Sequence, residues 1–576
     1  MLLRISLALA LALWPVGAAP ARAAGPAEAE PRPCPVTMPE RTTCGFLAVP
    51  ERRDAPGRTI RVGYAVHVST APDRKPDPVV YMSGGPGSRS IQLTGFLSRM
   101  FPDRDVVTLE QRGSSYSQPS LDCPETAEAM LGRLRRPQAD VAEAAQRCRR
   151  RLEQQGVDLR GYTTKEIAAD VADLRRALGY GAWNLFGVSY STRVMVDAAA
   201  ADPQGTRSVV LDSYLPEGVA WYDDADGNLT DVVSRLGVRD PFEAAVRRLN
   251  ASPALVPTTD PLLRRPFTAR MTGDDVATVL AEGLHEADVA AVAPALVTAL
   301  AGGHDEPLRP LADAVGDGLV SHAFGLYHAV QCQDEVPFNA FAAPSRLFTV
   351  NADKAVCDAW RLPASTPVKA RPAAPVYVVG GEFDPTTPPR TSRPAAASLP
   401  GARFEEVPGA SHAVFLADAC AREHIAAFVA DPAAAAAAPC AGGAHPRLGP
   451  RDLRVTGAPY LISRSPWLAA PFALFALTAL AQLVAGALRG RALTAFAGLT
   501  GTAFAVLVGR SVYGLLSANE TALAVGVPAA VGWQSWLAAG SAALGVAALL
   551  RRRTWPAAVA AAVGAGFLAW WFLWFL

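Results

Sequence analysis

The chain has 576 residues, of which 50% are hydrophobic and 19% charged, with a formal net charge of +1. A prior of about 100–200 residues per domain gives three or four units, and a chain this apolar can bury a core, which excludes disorder for most of it. Near-neutral charge leaves no basic footprint, so no nucleic-acid partner is expected.

The average hides an asymmetry. Residues 465–576 carry Arg489, Arg491, Arg510, Arg551, Arg552, Arg553 and Glu520 as their only charges, a sum of +5, so residues 1–464 sum to −4. Two chemistries are joined end to end. Fifty arginines against four lysines suggest a GC-rich bacterial genome.

Residues 1–24 read as a secretory signal peptide: Arg4, a short apolar run, and Ala21-Arg22-Ala23 before the cleavage point. An uncleaved anchor is the alternative. Residues 25–455 then alternate strand and helix. Short β-rich runs lie at 60–68, 79–82, 105–109, 183–187, 208–212, 376–379 and 403–407. Helical patterns lie at 165–178, with Ile167, Val171 and Leu174 on one face, and at 191–201. Such alternation predicts a mostly parallel sheet covered by helices. From about 216 to 372 the strand rhythm stops, and helices and loops are expected to form a cap. The alanine run 433–438 and the Gly/Pro-rich 442–450 read as a loop leading to a linker.

Residues 456–576 hold four uncharged stretches, 465–488, 492–509, 521–550 and 554–576. About 20 helical residues cross a hydrocarbon core of about 30 Å, so four transmembrane helices are expected. The second must either let Arg510 snorkel or extend past it towards Leu516. Buried helices of a soluble domain are the alternative, but these normally keep a polar face. With an exported N-terminal part, Arg489, Arg491 and Arg551–Arg553 fall inside and Glu520 outside, as the positive-inside rule requires. The expected location is a bacterial cell membrane, multi-pass, with the N-terminal domain on the extracytoplasmic side and the lipid bilayer as a partner.

The cysteines are Cys34, Cys44, Cys123, Cys148, Cys332, Cys357, Cys420 and Cys440. All precede the apolar stretches. An even count in an exported domain reads as disulfides, although eight cysteines allow 105 pairings. Pairing between sequence neighbours would close short loops, contributing about 3 kcal/mol each. Zinc is the rival reading, but no C-x-x-C or histidine cluster accompanies the cysteines, so no metal and no cofactor is expected.

Gly187-Val188-Ser189-Tyr190-Ser191 follows a predicted strand and precedes a predicted helix, the context of a nucleophile elbow. A serine hydroxyl needs a base, and the base needs an orienting carboxylate, here in the order Ser, Asp, His. Asp384 follows the strand at 376–379, and His412 follows the strand at 403–407. The strand at 79–82 runs into Ser83-Gly84-Gly85-Pro86-Gly87, where glycines let backbone N–H groups approach a ligand. The amides of Gly85 and Tyr190 are therefore expected to form an oxyanion hole.

These pieces resemble the α/β-hydrolase exopeptidases that include proline iminopeptidases and secreted bacterial tripeptidyl aminopeptidases. The likeness rests on residues 83–87, Gln111-Arg112-Gly113, residues 163–190 and 209–212, Gly381-Glu382-Phe383-Asp384 with Thr387-Pro388-Pro389, and residues 409–412. It spans roughly residues 34–440 and leaves out the four apolar stretches. It implies an α/β-hydrolase fold with a helical cap and the triad Ser189, Asp384 and His412. Ser83, Glu110 and Ser191 stand where proline iminopeptidases usually have His, Asp and Gly. The tripeptidyl group fits better, because it shares the paired cysteines. Residues 329–335 are similar to a cap segment that places carboxylates for a substrate's amino terminus, which singles out Glu335 and then Asp334. Glu382 is a rival, with support of the Asp384 loop as its other reading.

The resulting expectation is a membrane-anchored serine exopeptidase acting on peptides or small ester and amide substrates. An esterase or lipase on the same triad is the alternative, and a transporter built on the four helices is a third reading. The spans offer no embedded carboxylate or histidine in support of the last. The sequence does not indicate an oligomeric state.

Overall fold

The computed structural model describes residues 27–576 apart from 56, 136–139, 262–263, 368, 436 and 443–445. The expected signal peptide, 1–24, lies outside the described residues. Nine strands form the main sheet: β1 (Glu28–Arg32), β2 (Thr42–Pro50), β3 (Thr59–His67), β4 (Lys75–Met82), β5 (Arg104–Leu109), β6 (Trp183–Val188), β7 (Thr206–Asp212), β8 (Val376–Gly381) and β9 (Arg403–Val407). Their order is β1-β2-β3-β5-β4-β6-β7-β8-β9. β1, β2, β3 and β5 pair antiparallel, and every pair from β5 to β9 is parallel. This is the α/β-hydrolase arrangement expected above. All six residues of β6 are buried, the apolar signature of a strand covered on both faces. Parallel β4, β6, β7 and β8 are neighbours, so their following loops gather at one edge of the sheet. That is where ligands bind open α/β sheets.

Two helices fix this edge from below. Helix α1 (Thr164–Leu178) is capped by the Thr163 hydroxyl, ends at left-handed Gly179, and buries Ile167, Val171 and Leu174. Helix α2 (Ser191–Ala201) starts directly after the turn that leaves β6. Strands β1 and β2 were not anticipated. β1 is the polar run Glu-Ala-Glu-Pro-Arg, ordered by its pairing with β2 rather than by propensity.

The cap lies between β7 and β8. It includes α3 (Ala287–Ala301), α4 (Phe324–Asp334) and α5 (Phe348–Trp360). It also holds an antiparallel hairpin, Ala254–Thr259 with Pro266–Met271, where only helices and loops were expected. Its first strand alternates buried and exposed residues, but it is short and carries Pro257, which masked the pattern. Four disulfides join sequence neighbours: Cys34–Cys44, Cys123–Cys148, Cys332–Cys357 and Cys420–Cys440. The third ties α4 to α5.

Four C-terminal helices are long and apolar enough to cross a membrane: Pro466–Leu488, Ala492–Ala518, Ala530–Arg552 and Trp555–Phe575. They carry nearly all the exposed large apolar side chains; among the described residues only Leu255, Phe338 and Leu416 lie outside them. The second helix runs on past Arg510. At ~1.5 Å per residue Arg510 lies about 27 Å from Ala492, near the far boundary of a hydrocarbon core of about 30 Å.

The third helix begins later than expected. Residues 521–529, counted as span from hydropathy, instead form a turn of helix, Ala522–Val525, and a strand, Gly526–Pro528, paired antiparallel with Leu453–Val455 of the linker. Ala522, Val525 and Leu453 are buried in the cap's hydrophobic core. Apolar character alone does not distinguish a side chain facing lipid from one packed against a cap.

Replacing Cys332 and Cys357 together with serine removes a cross-link across 25 residues. Chemical denaturation should show a loss of about 3 kcal/mol, with wild-type stability falling to the same value under reductant at that bridge.

Candidate active site

The turn after β6 holds Ser189 at φ 56°, a left-handed conformation unusual for serine. Close packing enforces it. A Cβ on Gly84 would lie 2.7 Å from Ser189 Cβ, and one on Gly187 would lie 2.7 Å from the Ser191 carbonyl oxygen. The Ser189 N–H donates to the Asp212 carbonyl at 3.0 Å. Val188 and Tyr190 are buried while Ser189 stays partly exposed. Ser191, in the place of the usual glycine, is buried and bridges two strands. Its Oγ donates to the Met82 carbonyl at 2.6 Å and accepts from the Val188 N–H at 2.8 Å.

The loops after β8 and β9 bring Asp384 and His412 together. His412 Nδ1 lies 2.8 Å from Asp384 Oδ2. The fully buried Asp384 carboxylate also accepts from the N–H groups of Thr386 and Thr387, at 2.8 Å each, and from Thr387 Oγ1 at 2.7 Å. Burial alone would raise its pKa, but the His412 charge and hydrogen bond, with those donors, hold it well below the usual carboxylate range. Burial opposes charge on His412, yet Asp384 beside it raises its pKa, with Asp212 and Glu286 adding to the effect. Gly381 is required here, because a Cβ would lie 2.0 Å from the Ser411 carbonyl oxygen. Among the described residues Ser189 Oγ has no hydrogen-bond partner; such bonds often tighten only in substrate complexes.

The glycine loop after β4 packs on the Ser189 turn. Gly85 has φ 105°, and among the described residues the N–H groups of Gly85 and Tyr190 have no acceptor. Gln111 holds the loop in place: Nε2 donates to the carbonyls of Ser83 and Gly84 at 2.8 Å, and Oε1 accepts from the Gly87 N–H at 2.9 Å. Glu110 accepts from the N–H groups of Ser90 and Ile91, and Arg112 makes a bidentate pair with Asp170. The motif at 110–113 is thus scaffold for the loop and for α1.

Beside the Ser189 turn lies an acidic cluster around one arginine. Arg193 on α2 is ion-paired with Glu335, both buried, and lies 3.8 Å from Glu217. Asp334 accepts from the Thr164 N–H and hydroxyl at 2.7 Å, capping α1. Burial, with repulsion from Glu217 and Asp334, pushes Asp197 up to about 7. Both carboxylates singled out in the sequence are therefore already engaged by protein groups. Glu217, whose side chain is 33% exposed, has the most open carboxylate. Glu382 accepts from the Gly409 N–H at 2.9 Å, supporting the loop that leads to His412.

Other residues at the site had no role assigned from the sequence, although Asp212 lies in the 209–212 segment quoted above. Asp212 accepts from the N–H groups of Val414 and Phe415, and Ser213 Oγ accepts from that of Ala413, fixing the chain just after His412. From the cap, His285 packs its ring on His412 with centroids 4.8 Å apart. Among the described residues two clusters have metal-ligand proximity, Cys420–His424–Cys440 and Cys123–Glu125–Cys148, but their cysteines are disulfide-bonded and offer no thiolate.

Residues 77–266 match the family described as "alpha/beta hydrolase fold", and residues 346–440 match "TAP-like protein". The first range contains Gly85 and Ser189, the second Asp384 and His412. The chain is 26% identical over 459 residues to "Serine protease Hip1" of Mycobacterium tuberculosis, covering 68% of this chain and 86% of that protein. It is 27% identical over 209 residues to "Tripeptidyl aminopeptidase" of Streptomyces lividans, covering 32% and 38%. The solved proline iminopeptidase of Mycobacterium smegmatis aligns with a TM-score of 0.37 at 17% identity, covering 67% of this chain and 97% of that one.

Ser191→Ala should destabilise the fold by about 1–3 kcal/mol, because the Met82 carbonyl and Val188 N–H lose their partner in a buried place. Urea denaturation checks this.

Proposed function

Because the chain is a serine hydrolase of the α/β-hydrolase fold, we propose that it is a membrane-anchored, extracytoplasmic exopeptidase acting through an acyl-enzyme on Ser189. Neutral His412 takes the Ser189 proton as Oγ attacks the scissile carbonyl. The N–H groups of Gly85 and Tyr190 receive the oxyanion, where one donor is worth about 3 kcal/mol of barrier. His412 then protonates the leaving amine, and water repeats the sequence to release the acyl group. Asp384 holds the imidazole tautomer and stabilises the imidazolium. The observation that carries the reading is the His412–Asp384 bond of 2.8 Å, formed by loops that leave the same sheet edge as the Ser189 turn and the glycine loop packed on it.

Exopeptidase action needs a counter-charge for a free ammonium terminus. Asp197, Glu217, Asp334 and Glu335 around the single Arg193 leave an excess of negative charge beside the nucleophile turn, which supports this reading. Of these carboxylates Glu217 is the most exposed and is the one assigned to the ammonium group.

Anchoring is supported by the lipid-like surface of the four helices. Arg489, Arg491 and Arg551–Arg553 lie at the end of the bundle away from the cap, the pattern of a cytoplasmic side. Exposed Trp467, Trp533, Trp536 and Trp574 lie at the cap end, as an interfacial belt would.

In the full chain, Ser189→Ala should abolish hydrolysis of tripeptidyl and aminoacyl reporter amides while the protein stays folded. Blocking the substrate's amino group should lower turnover, and Glu217→Gln should raise KM about tenfold for free-amine substrates only. Indifference to the block would favour an esterase. Activity should rise with pH as His412 loses its proton. Since Asp384 raises that pKa, the midpoint of kcat/KM should lie above histidine's ordinary value of about 6.5. Asp384→Asn should cut kcat by about 10⁴.

A further inference from the structure

The turn at residues 284–286, which precedes α3, is one of the places where the cap meets the catalytic loops; Phe383, beside Asp384, is also buried in the cap core. The Leu284 carbonyl accepts from Ser411 Oγ, and the His285 carbonyl accepts from the His412 N–H at 3.1 Å. His285 Nε2 is hydrogen-bonded to Thr386 Oγ1 at 2.6 Å, and the Thr386 N–H donates to Asp384 Oδ1 at 2.8 Å. One cap residue therefore meets the loop of the acid and the loop of the base, and its ring lies against the base itself. Burial, with the neighbouring His412 charge, pushes His285 down to about 3, so it stays neutral and serves as a hydrogen-bonding wedge.

The start of α3, directly after this turn, is fixed from the membrane side. Asn519 sits in the loop between the second and third membrane helices and is 3% exposed. Its Nδ2 donates to the carbonyl of Asp288, three residues after His285, at 2.9 Å, and its Oδ1 accepts from the Ala522 N–H at 3.0 Å. A second clamp acts one turn further on. Pro294 interrupts the bonding of α3. The linker fills the gap: the Leu448 N–H donates to the Ala291 carbonyl at 2.8 Å, and the Ala295 N–H donates to the Leu448 carbonyl at 3.2 Å. Beneath both, Ala522 and Val525 are buried with the cap core.

We propose that His285 is a positioning residue for the His412–Asp384 pair, and that the membrane segment holds it in place through Asn519 and α3. The inference rests on the hydrolase reading of Ser189 and His412. On this account the four helices complete the catalytic apparatus as well as anchoring it.

Titration of His412 reports the geometry. The groups facing it are Asp384, Asp212, Glu282, Glu286 and neutral His285. If the turn shifts, His412 separates from Asp384 and its pKa falls, so the acid limb of the kcat–pH profile moves to lower pH. The test uses the full chain in nanodiscs with a free-amine tripeptidyl 4-nitroanilide. His285→Phe and Asn519→Ala should each lower kcat about tenfold or more, leave KM unchanged and shift the acid limb downward, since small misplacements of a catalytic group are costly. The double variant should be no worse than His285→Phe alone, because both act on one path. His285→Gln, which keeps a hydrogen-bonding group for Thr386, should recover part of the loss.

Tyr460→Phe is the control. It removes another bond from the membrane-proximal segment to the cap, Tyr460 Oη to Asp313 at 2.5 Å, which does not involve α3. It should leave kcat and the acid limb unchanged. Where Asn519→Ala does not fold, Asn519→Asp keeps the acceptor for the Ala522 N–H, removes the donor to Asp288 and adds a charge facing its carbonyl. Unchanged kcat and acid limb in the Asn519 variants would overturn the inference, as would additive losses in the double variant or an equal loss in Tyr460→Phe. Ser189→Ala in the same series separates the two claims: hydrolysis surviving in it rejects the hydrolase reading itself.

Discussion

Ser189 sits with its backbone in the left-handed region, where serine pays a steric penalty, and its neighbours leave it no alternative. The carbonyl of Ser191 approaches Gly187, the glycine loop approaches through Gly84, and the Ser191 hydroxyl joins β4 to β6. This knot forces the serine hydroxyl out of the sheet edge while burying the residues on either side. Everything else at the site is arranged around it. On the proposed mechanism the loop after β4 delivers the Gly85 amide and the turn after β6 the Tyr190 amide, the loops after β8 and β9 deliver the acid and base, and Asp212 at the end of β7 holds the chain beyond His412. Parallel order is what allows four separate strands to converge at a single place.

The cap is the second layer of the same construction. It contributes the acidic cluster around Arg193 and the turn that packs on His412. Neither is free to drift. Cys332–Cys357 ties α4 to α5, Asp334 caps α1 of the sheet layer, and α3 is clamped by the linker and by the loop between the second and third apolar helices. The hydrolase and the apolar helices thus share a core, which a simple tether would not.

The sequence made the centre of the site legible and left its frame obscure, and the division has a physical basis. Ser189 and Asp384 each follow a short buried strand and His412 a short, half-buried edge strand, so local pattern and chain order were enough to find them. His285 lies in a cap turn with no motif, and only tertiary packing brings it to His412. β1 is polar and exists through its partner. Residues 521–529 were read as membrane-spanning because hydropathy measures burial from water without saying what does the burying. Glu335 and Asp334 were picked for their chemistry, but their partners, Arg193 and Thr164, are distant in sequence. Gln111 was visible within a motif, although its grip on three backbone groups of the glycine loop was not.

The central claim is that the strained serine of this turn is the nucleophile. The most direct measurement is mass spectrometry of the full chain after treatment with a fluorophosphonate at neutral pH. The account predicts a single covalent adduct, mapped to the peptide containing Ser189, and its loss when His412 is replaced by alanine. An adduct on another serine, or labelling of Ser189 that is unaffected by the loss of His412, would contradict it.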